Sequence, residues 1–492
     1  MKQPRVYFVA GLILSGALTG CSVGPDYERP TVSAPNDWHE HSDNDSWKIA
    51  NPADAQHKGE WWTIFNDTQL NALQQQAQLG NLQLQAAVAR LDQARALTQV
   101  SRAALFPTVG LEAQRTRTRT SANRPANNSD SNGGTSNNVT STLRDNNTIA
   151  ATVNYEVDLF GRARRTNEAS KAEADQAVAD FENIKLLLAA DVAANYFQLR
   201  ALTTELNVLD QSIAGQSGIL DIVRGRYADG LASGIDLAQQ ELIVANNRGQ
   251  RELLSQQYEQ QRHALATLLG IRIDELKIDL APLQGELPTI PLALPSDLLQ
   301  RRPDIASAER AVAAANAQIG VAKSAWFPTL NIAARDGFES AAFNQLFDSP
   351  SVAWSVGAGL AQTLFDAGAT SGHVKFAQAK HTETVANYRA TVLTAWQEVE
   401  DNLSNARTLA AAQRNAQQAR LSANKIADVT DDRYQAGLAS AVERYTARQI
   451  ALNAQREEVQ LSAQQWRNAV ELIKALGGGW SEQSVAVTYN LR

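Results

Sequence analysis

The 492-residue sequence predicts a mixed α and β chain made of two copies of one long unit, each with a β-hairpin set between long amphipathic helices. Three observations predict it. Motifs recur at fixed separations: Arg226-Tyr227-Ala228-Asp229-Gly230-Leu231-Ala232-Ser233 returns 207 residues later as Arg433-Tyr434-Gln435-Ala436-Gly437-Leu438-Ala439-Ser440. Leu269-Gly270 returns at the same offset as Leu476-Gly477, and Phe106-Pro107-Thr108 returns at an offset of 221 as Phe327-Pro328-Thr329. Such self-similarity marks repeated supersecondary units. Two segments alternate apolar and polar residues with a period of two, and the stretches around them space apolar residues by threes and fours.

Composition narrows the classes further. Hydrophobic residues make up 44%, charged residues 20% and aromatics 6%, with one cysteine and a net charge of -7. This excludes a disordered chain, a disulfide scaffold and a basic nucleic-acid binder. Past residue 20 no stretch approaches the ~18 uninterrupted apolar residues of a spanning helix. Contact with a membrane therefore runs through lipid or through a β-barrel.

In chain order, the N-terminus comes first. Lys2 and Arg5 precede an apolar run from Val6 to Leu18, and Leu18-Thr19-Gly20-Cys21 ends it. This reads as a lipoprotein signal with its lipobox, cleaved before Cys21 after acylation of that thiol. The resemblance to such signals implies that Ser22, not an aspartate, at the next position permits passage to the outer membrane. Residues 70–105 form the first helical stretch, roughly 54 Å at 1.5 Å per residue. A weak strand over 108–120, a polar loop over 121–146 and a strand with Ile149, Ala151, Val153, Tyr155, Val157 and Leu159 on one face make the first hairpin. Asn154, Glu156 and Asp158 occupy its other face. Residues 162–227 run without proline as a helix of roughly 100 Å, striped by Ile184, Leu188, Val192, Tyr196 and Leu199.

A second helix over 235–269 follows the first motif. The second copy repeats the order: a helix over 298–326, a strand over 329–335, a loop over 336–350, and a strand with Val352, Trp354, Val356, Ala358 and Leu360 on one face. A long helix over 367–433, striped by Tyr388, Val392, Trp396 and Val399, and a shorter one over 441–476 complete it. Helices this long and polar on their outer face suit coiled-coil packing. Four strands are too few for a membrane barrel, which needs about eight or more. An oligomer supplies the rest, and two, three or four chains satisfy the count.

The ordered set of motifs resembles the outer-membrane factor of tripartite efflux and secretion systems, in the lipoprotein branch of the TolC/OprM type. The motifs are Cys21-Ser22-Val23-Gly24-Pro25-Asp26-Tyr27, Trp61-Trp62 with Phe65 and Asp67, Asn81 with Ala89-Arg90, Phe106-Pro107, Tyr155-Glu156-Val157-Asp158-Leu159-Phe160-Gly161, Arg301-Arg302-Pro303-Asp304-Ile305, Phe327-Pro328 and Leu476-Gly477-Gly478-Gly479-Trp480. The resemblance implies a homotrimer with a twelve-stranded outer-membrane β-barrel continuous with a twelve-helix periplasmic α-barrel and an equatorial collar. It divides the chain into a signal peptide (1–20), a linker and equatorial segment (21–69), a first repeat (70–270, hairpin about 108–160, tip 226–234), an equatorial connection (271–296), a second repeat (297–476, hairpin about 329–366, tip 433–440) and a C-terminal tail (477–492).

What it implies about function is an exit duct for drugs or other toxic small molecules. The partners would be a periplasmic adaptor, an inner-membrane pump of the RND type and outer-membrane lipids. Ducts for protein secretion or metal-ion efflux, and a purely structural periplasmic coiled-coil lipoprotein, remain alternatives. The two Arg-Tyr motifs are then the periplasmic tips. Arg226, Gly230, Arg433 and Gly437 are candidate adaptor-docking residues, and Asp236, Glu443, Tyr227 and Tyr434 are candidate gate residues. Rings of acid at a constriction favour cations. Ser233-x-x-Asp236 and Ser440-x-x-Glu443 also read as capping boxes, and one carboxylate can serve both roles. Thr446 stands where some relatives carry a further aspartate.

No catalytic constellation is present. None of the six histidines has metal-ligand spacing, and no phosphate loop, nucleophile elbow or interleaved basic and aromatic patch occurs. No enzyme activity, metal, cofactor or nucleic-acid partner is expected.

Overall fold

The computed structural model describes residues 22–35, 37–39, 60–121, 143–278, 280–283, 285–288, 290 and 301–478. Cys21 with its signal segment, the linker over 40–59, most of the first hairpin loop, 291–300 and the tail from 479 lie outside the described residues. A 3-10 turn over Trp61–Phe65 leads into α1 (Thr68–Gly80), α2 (Leu82–Ala103), β1 (Thr108–Arg119), β2 (Leu143–Val157), α3 (Arg162–Ala228) and α4 (Gly234–Leu269). Then follow α5 (Pro303–Ser324), β3 (Thr329–Ser340), β4 (Val352–Ala361), α6 (Ala369–Gln435) and α7 (Ala441–Ala475). The long helices α3 and α6 each have 67 residues.

The chain gathers into two compact units. One combines the segment up to Arg29 with Gln93–Ala174 and Ala311–Thr384; the other combines Pro30–Asp92, Asp175–Arg310 and the chain from Val385.

The first unit holds an antiparallel sheet in the order β1-β2-β3-β4. The register puts Val109 opposite Val153, Val153 opposite Ala334 and Ala334 opposite Val356, so one face, apolar except for Asp336 of β3, crosses all four strands. That face is uncovered: Leu111 is 79% and Trp354 74% exposed. Strands β2 and β3 are longer at their loop ends than the sequence pattern predicts. Residues expected in loops, 143–146 and 336–340, belong to strands. There the Asn147 amide donates to the carbonyls of Ser340 and Ala341, at 3.1 and 3.3 Å, and Phe338 packs edge-on against Phe347. At the other end β2 stops at Val157. Asp158, expected on a strand, instead accepts from the backbone N–H groups of Ala163 and Arg164 and caps the start of α3.

An N-terminal strap lies on this unit. The Val23 N–H donates to the Phe160 carbonyl at 3.1 Å, and the buried Arg165 guanidinium donates to the carbonyls of Val23 and Gly24 and to Asp26. Asn316 donates to the Pro25 carbonyl. Gly24 sits so close to Gly320 that a Cβ would fall 2.5 Å from its Cα, and its φ of +109° is one that glycine tolerates best.

In the second unit aromatic rings fill the core. Trp61 and Trp62 are buried, Phe65 meets Phe197 at 4.9 Å, and Phe197 meets Trp466 at 4.7 Å. The connecting segments are tied to α3 by polar contacts. Arg200 donates to Asp67 at 2.7 Å and to the carbonyls of Ala281 and Pro282, while the Leu283 N–H donates to the Thr204 hydroxyl. Burial and the adjacent Asp67 carboxylate push the Tyr196 hydroxyl upward, so it stays protonated and donates to Asp67 at 2.7 Å. The buried Glu205 of α3 accepts from Arg456 and Gln460 of α7, linking the two halves of the sequence.

The helix expected over 70–105 is two helices. At Asn81 the backbone turns extended, with φ -67° and ψ 122°, its side-chain oxygen accepts from the Leu84 N–H, and its amide donates to the Leu268 carbonyl. The cause is close packing of two helix ends: a Cβ on Gly270 would lie 2.0 Å from the Gly80 carbonyl oxygen. A continuous helix cannot present its backbone this way, so Asn81 ends one helix and caps the next. Asn81→Ala is expected to cost about 2 kcal/mol through loss of the cap and of the buried bond to Leu268. Chemical denaturation of the purified protein, with an unchanged slope, would measure it.

Candidate functional site

The two Arg-Tyr motifs close the α3–α4 and α6–α7 connections with the same geometry. Gly230 has φ +72° and Gly437 φ +75°, and a Cβ on either would meet nothing, so conformation rather than space calls for glycine. The Leu231 N–H donates to the Arg226 carbonyl and the Gly230 N–H to the Tyr227 carbonyl; Leu438 and Gly437 do the same to Arg433 and Tyr434. These paired bonds are a Schellman motif, which satisfies the last carbonyls of each long helix.

Both serines then start a new helix. Ser233 accepts from the Asp236 N–H at 3.1 Å while its own N–H donates to the Asp236 carboxylate at 3.2 Å. Ser440 and Glu443 make the equivalent pair at 3.2 and 2.7 Å. Both candidate gate acids are therefore members of capping boxes. Bonds from the Ser440 N–H and hydroxyl, helped by the charge of Arg433, hold the Glu443 carboxyl below the usual carboxylate range.

The tyrosines differ in setting. The Tyr227 ring packs over Gly234 at the start of α4 and is half exposed. Tyr434 lies beneath Arg444, whose guanidinium carbon is 4.9 Å from the ring centre. Arg433 turns back onto its own tip and donates to the Leu438 carbonyl at 3.2 Å. A narrow cleft brings Asp236 and Tyr434 together, with Gln239 and Gln240 on the first tip's side and Arg444 and Arg448 on the second's. Glu443 is exposed and does not line it.

The centre of the second tip is a group that motif reading passed over. Asp431 is buried and accepts from Arg444 at 2.8 Å and from Arg448 at 3.0 Å. Burial works against its charge, but the bonds and positive charge of Arg448 and Arg444 outweigh it and hold its carboxyl low. At the positions 207 residues earlier the pair has the opposite polarity, Arg224 donating to Glu241 at 2.9 Å. That shared offset was the only signal in the sequence, because a 17-residue separation across a turn matches no helical spacing. Among the described residues no group of three or more His, Cys, Asp or Glu side chains is placed to hold a metal ion.

Known proteins share this frame. Residues 73–271 and 294–478 match the outer membrane efflux protein family. The chain belongs to that family. It is 32% identical to the pyoverdine export outer membrane protein OpmQ of Pseudomonas putida, covering 98% of this chain and 99% of that one. It is 30% identical to the toluene efflux pump outer membrane protein TtgC from another strain of Pseudomonas putida, covering 95% and 94%. Among solved structures, the outer-membrane channel OprN superposes with a TM-score of 0.83 at 28% identity, over 94% of this chain and 100% of that one. The mixed α and β fold is thus that of the TolC-type outer-membrane channels, and this family member is an outer-membrane efflux protein.

Asp431 sets a pH dependence with a definite sign. A carboxyl held below its unfolded value of about 3.9 contributes stability that is complete above that value and lost as pH falls through the folded one. Hydrogen-exchange protection of the α6–α7 tip is therefore expected to hold from neutral pH down to about 4 and to fall below it. Asp431→Asn should flatten that dependence and lower the protection at neutral pH.

Proposed function

We propose that this protein is the exit duct of a tripartite efflux system, a homotrimer in which three four-stranded sheets close one twelve-stranded barrel and twelve helical columns form a periplasmic tunnel. The observation that carries it is the sheet itself. Its strands are 10 to 15 residues long, one face is apolar and uncovered, and β1 and β4 each leave an unpaired edge. A tilted membrane strand needs about 9–11 residues, and hydrocarbon tolerates no open edge. Pairing β1 of one copy with β4 of the next removes both edges. Asn154 and Glu156 then face the lumen, as the polar interior of such a barrel requires.

The remaining parts take the roles that family membership suggests. Cys21 carries the acyl anchor, and the strap from Ser22 ties it to the sheet unit. The segments 21–69 and 271–296 and the tail from 477 form an equatorial collar. The tips at 226–234 and 433–440 meet a periplasmic adaptor, with Arg226, Gly230, Arg433 and Gly437 at the contact, and an RND-type inner-membrane pump supplies the energy. Asp236, with Tyr434 across the cleft, and Glu443 line the narrow periplasmic end, where their charge favours cations. The cargo is drugs or other toxic small molecules; the relatives named above carry pyoverdine export and toluene efflux in their names.

Single-particle imaging of the detergent-extracted full-length protein tests the assembly: threefold particles are expected, and monomers would refute it. In planar bilayers Asp236→Asn with Glu443→Gln is expected to reduce cation over anion selectivity severalfold, while capping alone would leave selectivity unchanged. Metabolic labelling with palmitate is expected to mark the wild type and to miss Cys21→Ala.

A further inference from the structure

Apart from Asp336 of β3, which lies between Ala151 and Trp354, the apolar face of the sheet runs to a definite row. Ala113 of β1 lies opposite Ile149 of β2, Ile149 opposite Phe338 of β3, and Phe338 opposite Val352 of β4. Beyond that row, on the same face of β1 and at every second position to the end of the strand, stand Arg115, Arg117 and Arg119. All three are exposed. Their partners on β2 are Asn147, Asp145 and Leu143, and Asp145 reaches Arg117 at 3.4 Å. Three guanidinium groups thus stand in file on this face, which also carries Asp145 beside Arg117 and, on β3 one row inside the apolar band, Asp336. The intervening positions, which point to the other face, are Thr116 and Thr118.

The level of the file matters as much as its charge. From Val157 to Ile149 the apolar band runs about 27 Å along β2. At the strand tilt of a membrane barrel, about 40°, this gives a height of about 20 Å, close to the apolar band of about 25 Å that such barrels present to lipid. The arginines begin where that band stops and cover about 14 Å of strand. They sit at the end of β1 farthest from its connection to α2. In the proposed duct this is the external end of the barrel, at the depth of the outer leaflet's head groups.

We infer that Arg115, Arg117 and Arg119 form a binding surface for a phosphate-bearing glycolipid of the outer leaflet, its acyl chains lying on the apolar band and its phosphates on the guanidinium file. The inference rests on the barrel reading. Guanidinium groups are weakly hydrated and bind phosphate through two parallel hydrogen bonds, so they suit an anion at the edge of a hydrocarbon phase. A soluble anion would have no need of the file's continuity with the apolar band. A lipid with both parts uses it throughout.

The test compares the full-length wild-type trimer with Arg115→Gln/Arg117→Gln/Arg119→Gln and with the matching triple lysine variant. Each is incubated in detergent with bisphosphorylated lipid A or with the same lipid stripped of phosphate, and retained lipids are counted by native mass spectrometry. The wild type is expected to retain at least ten times more bisphosphorylated lipid than the glutamine variant. Lysine should recover most of that retention, and the stripped lipid should bind all three proteins equally weakly. Equal retention by wild type and glutamine variant would overturn the inference. So would a glutamine variant that is monomeric beside a trimeric wild type, which would assign the arginines to contacts between copies. A wild type that itself forms neither trimer nor conducting pore would instead defeat the barrel reading, and this inference with it.

Discussion

In the proposed duct, backbone hydrogen bonding in a solvent without water is the constraint on which the rest depends. Inside hydrocarbon every N–H and C=O must find a partner within the protein. A sheet of four strands with the order β1-β2-β3-β4 meets this demand everywhere except at its two margins. The uncovered face and the unpaired margins are liabilities in water, and the proposed barrel in lipid would remove both. Sheet length, face and edges therefore belong to a single solution. The helices answer a different solvent, with small apolar stripes, polar outer faces and ion pairs such as Glu205 with Arg456.

Much of the helix and strand order is legible in the sequence. The 207-residue offset located both tips, and the Gly and Ser positions within them already specified a left-handed residue followed by a helix start. Strand faces were legible because a period of two survives even when a strand's ends do not. Ends were harder. The loops expected over 121–146 and 336–350 lose residues to β2 and β3, because polar Asn147 and Ser340 are bonded across strands, a fact of pairing and not of composition. The break at Asn81 was hidden for a related reason: its cause is Gly270, nearly two hundred residues away.

The tips illustrate how one carboxylate is committed to local structure before it serves any channel. Asp236 and Glu443 each accept a serine hydroxyl and a backbone N–H, so their charge is held at a fixed point by the chain itself. A ring of such charges in the proposed duct would be rigid without further support. The two tips are not electrically equivalent, however. At the same offset one has Arg224 with Glu241 and the other Asp431 with Arg448, and only the second adds Arg444 and the ring of Tyr434. Two copies of one motif have become a lightly braced turn and a heavily braced one.

The strap at the start of the described chain limits where an acyl group on Cys21 would lie. Two residues reach at most about 7 Å, and Val23 is already fastened to the Phe160 carbonyl while Arg165 grips the segment on its other side. A lipid on Cys21 would have almost no leash. In the proposed duct it would act less as a tether than as a depth gauge, holding the base of the sheet near the inner leaflet.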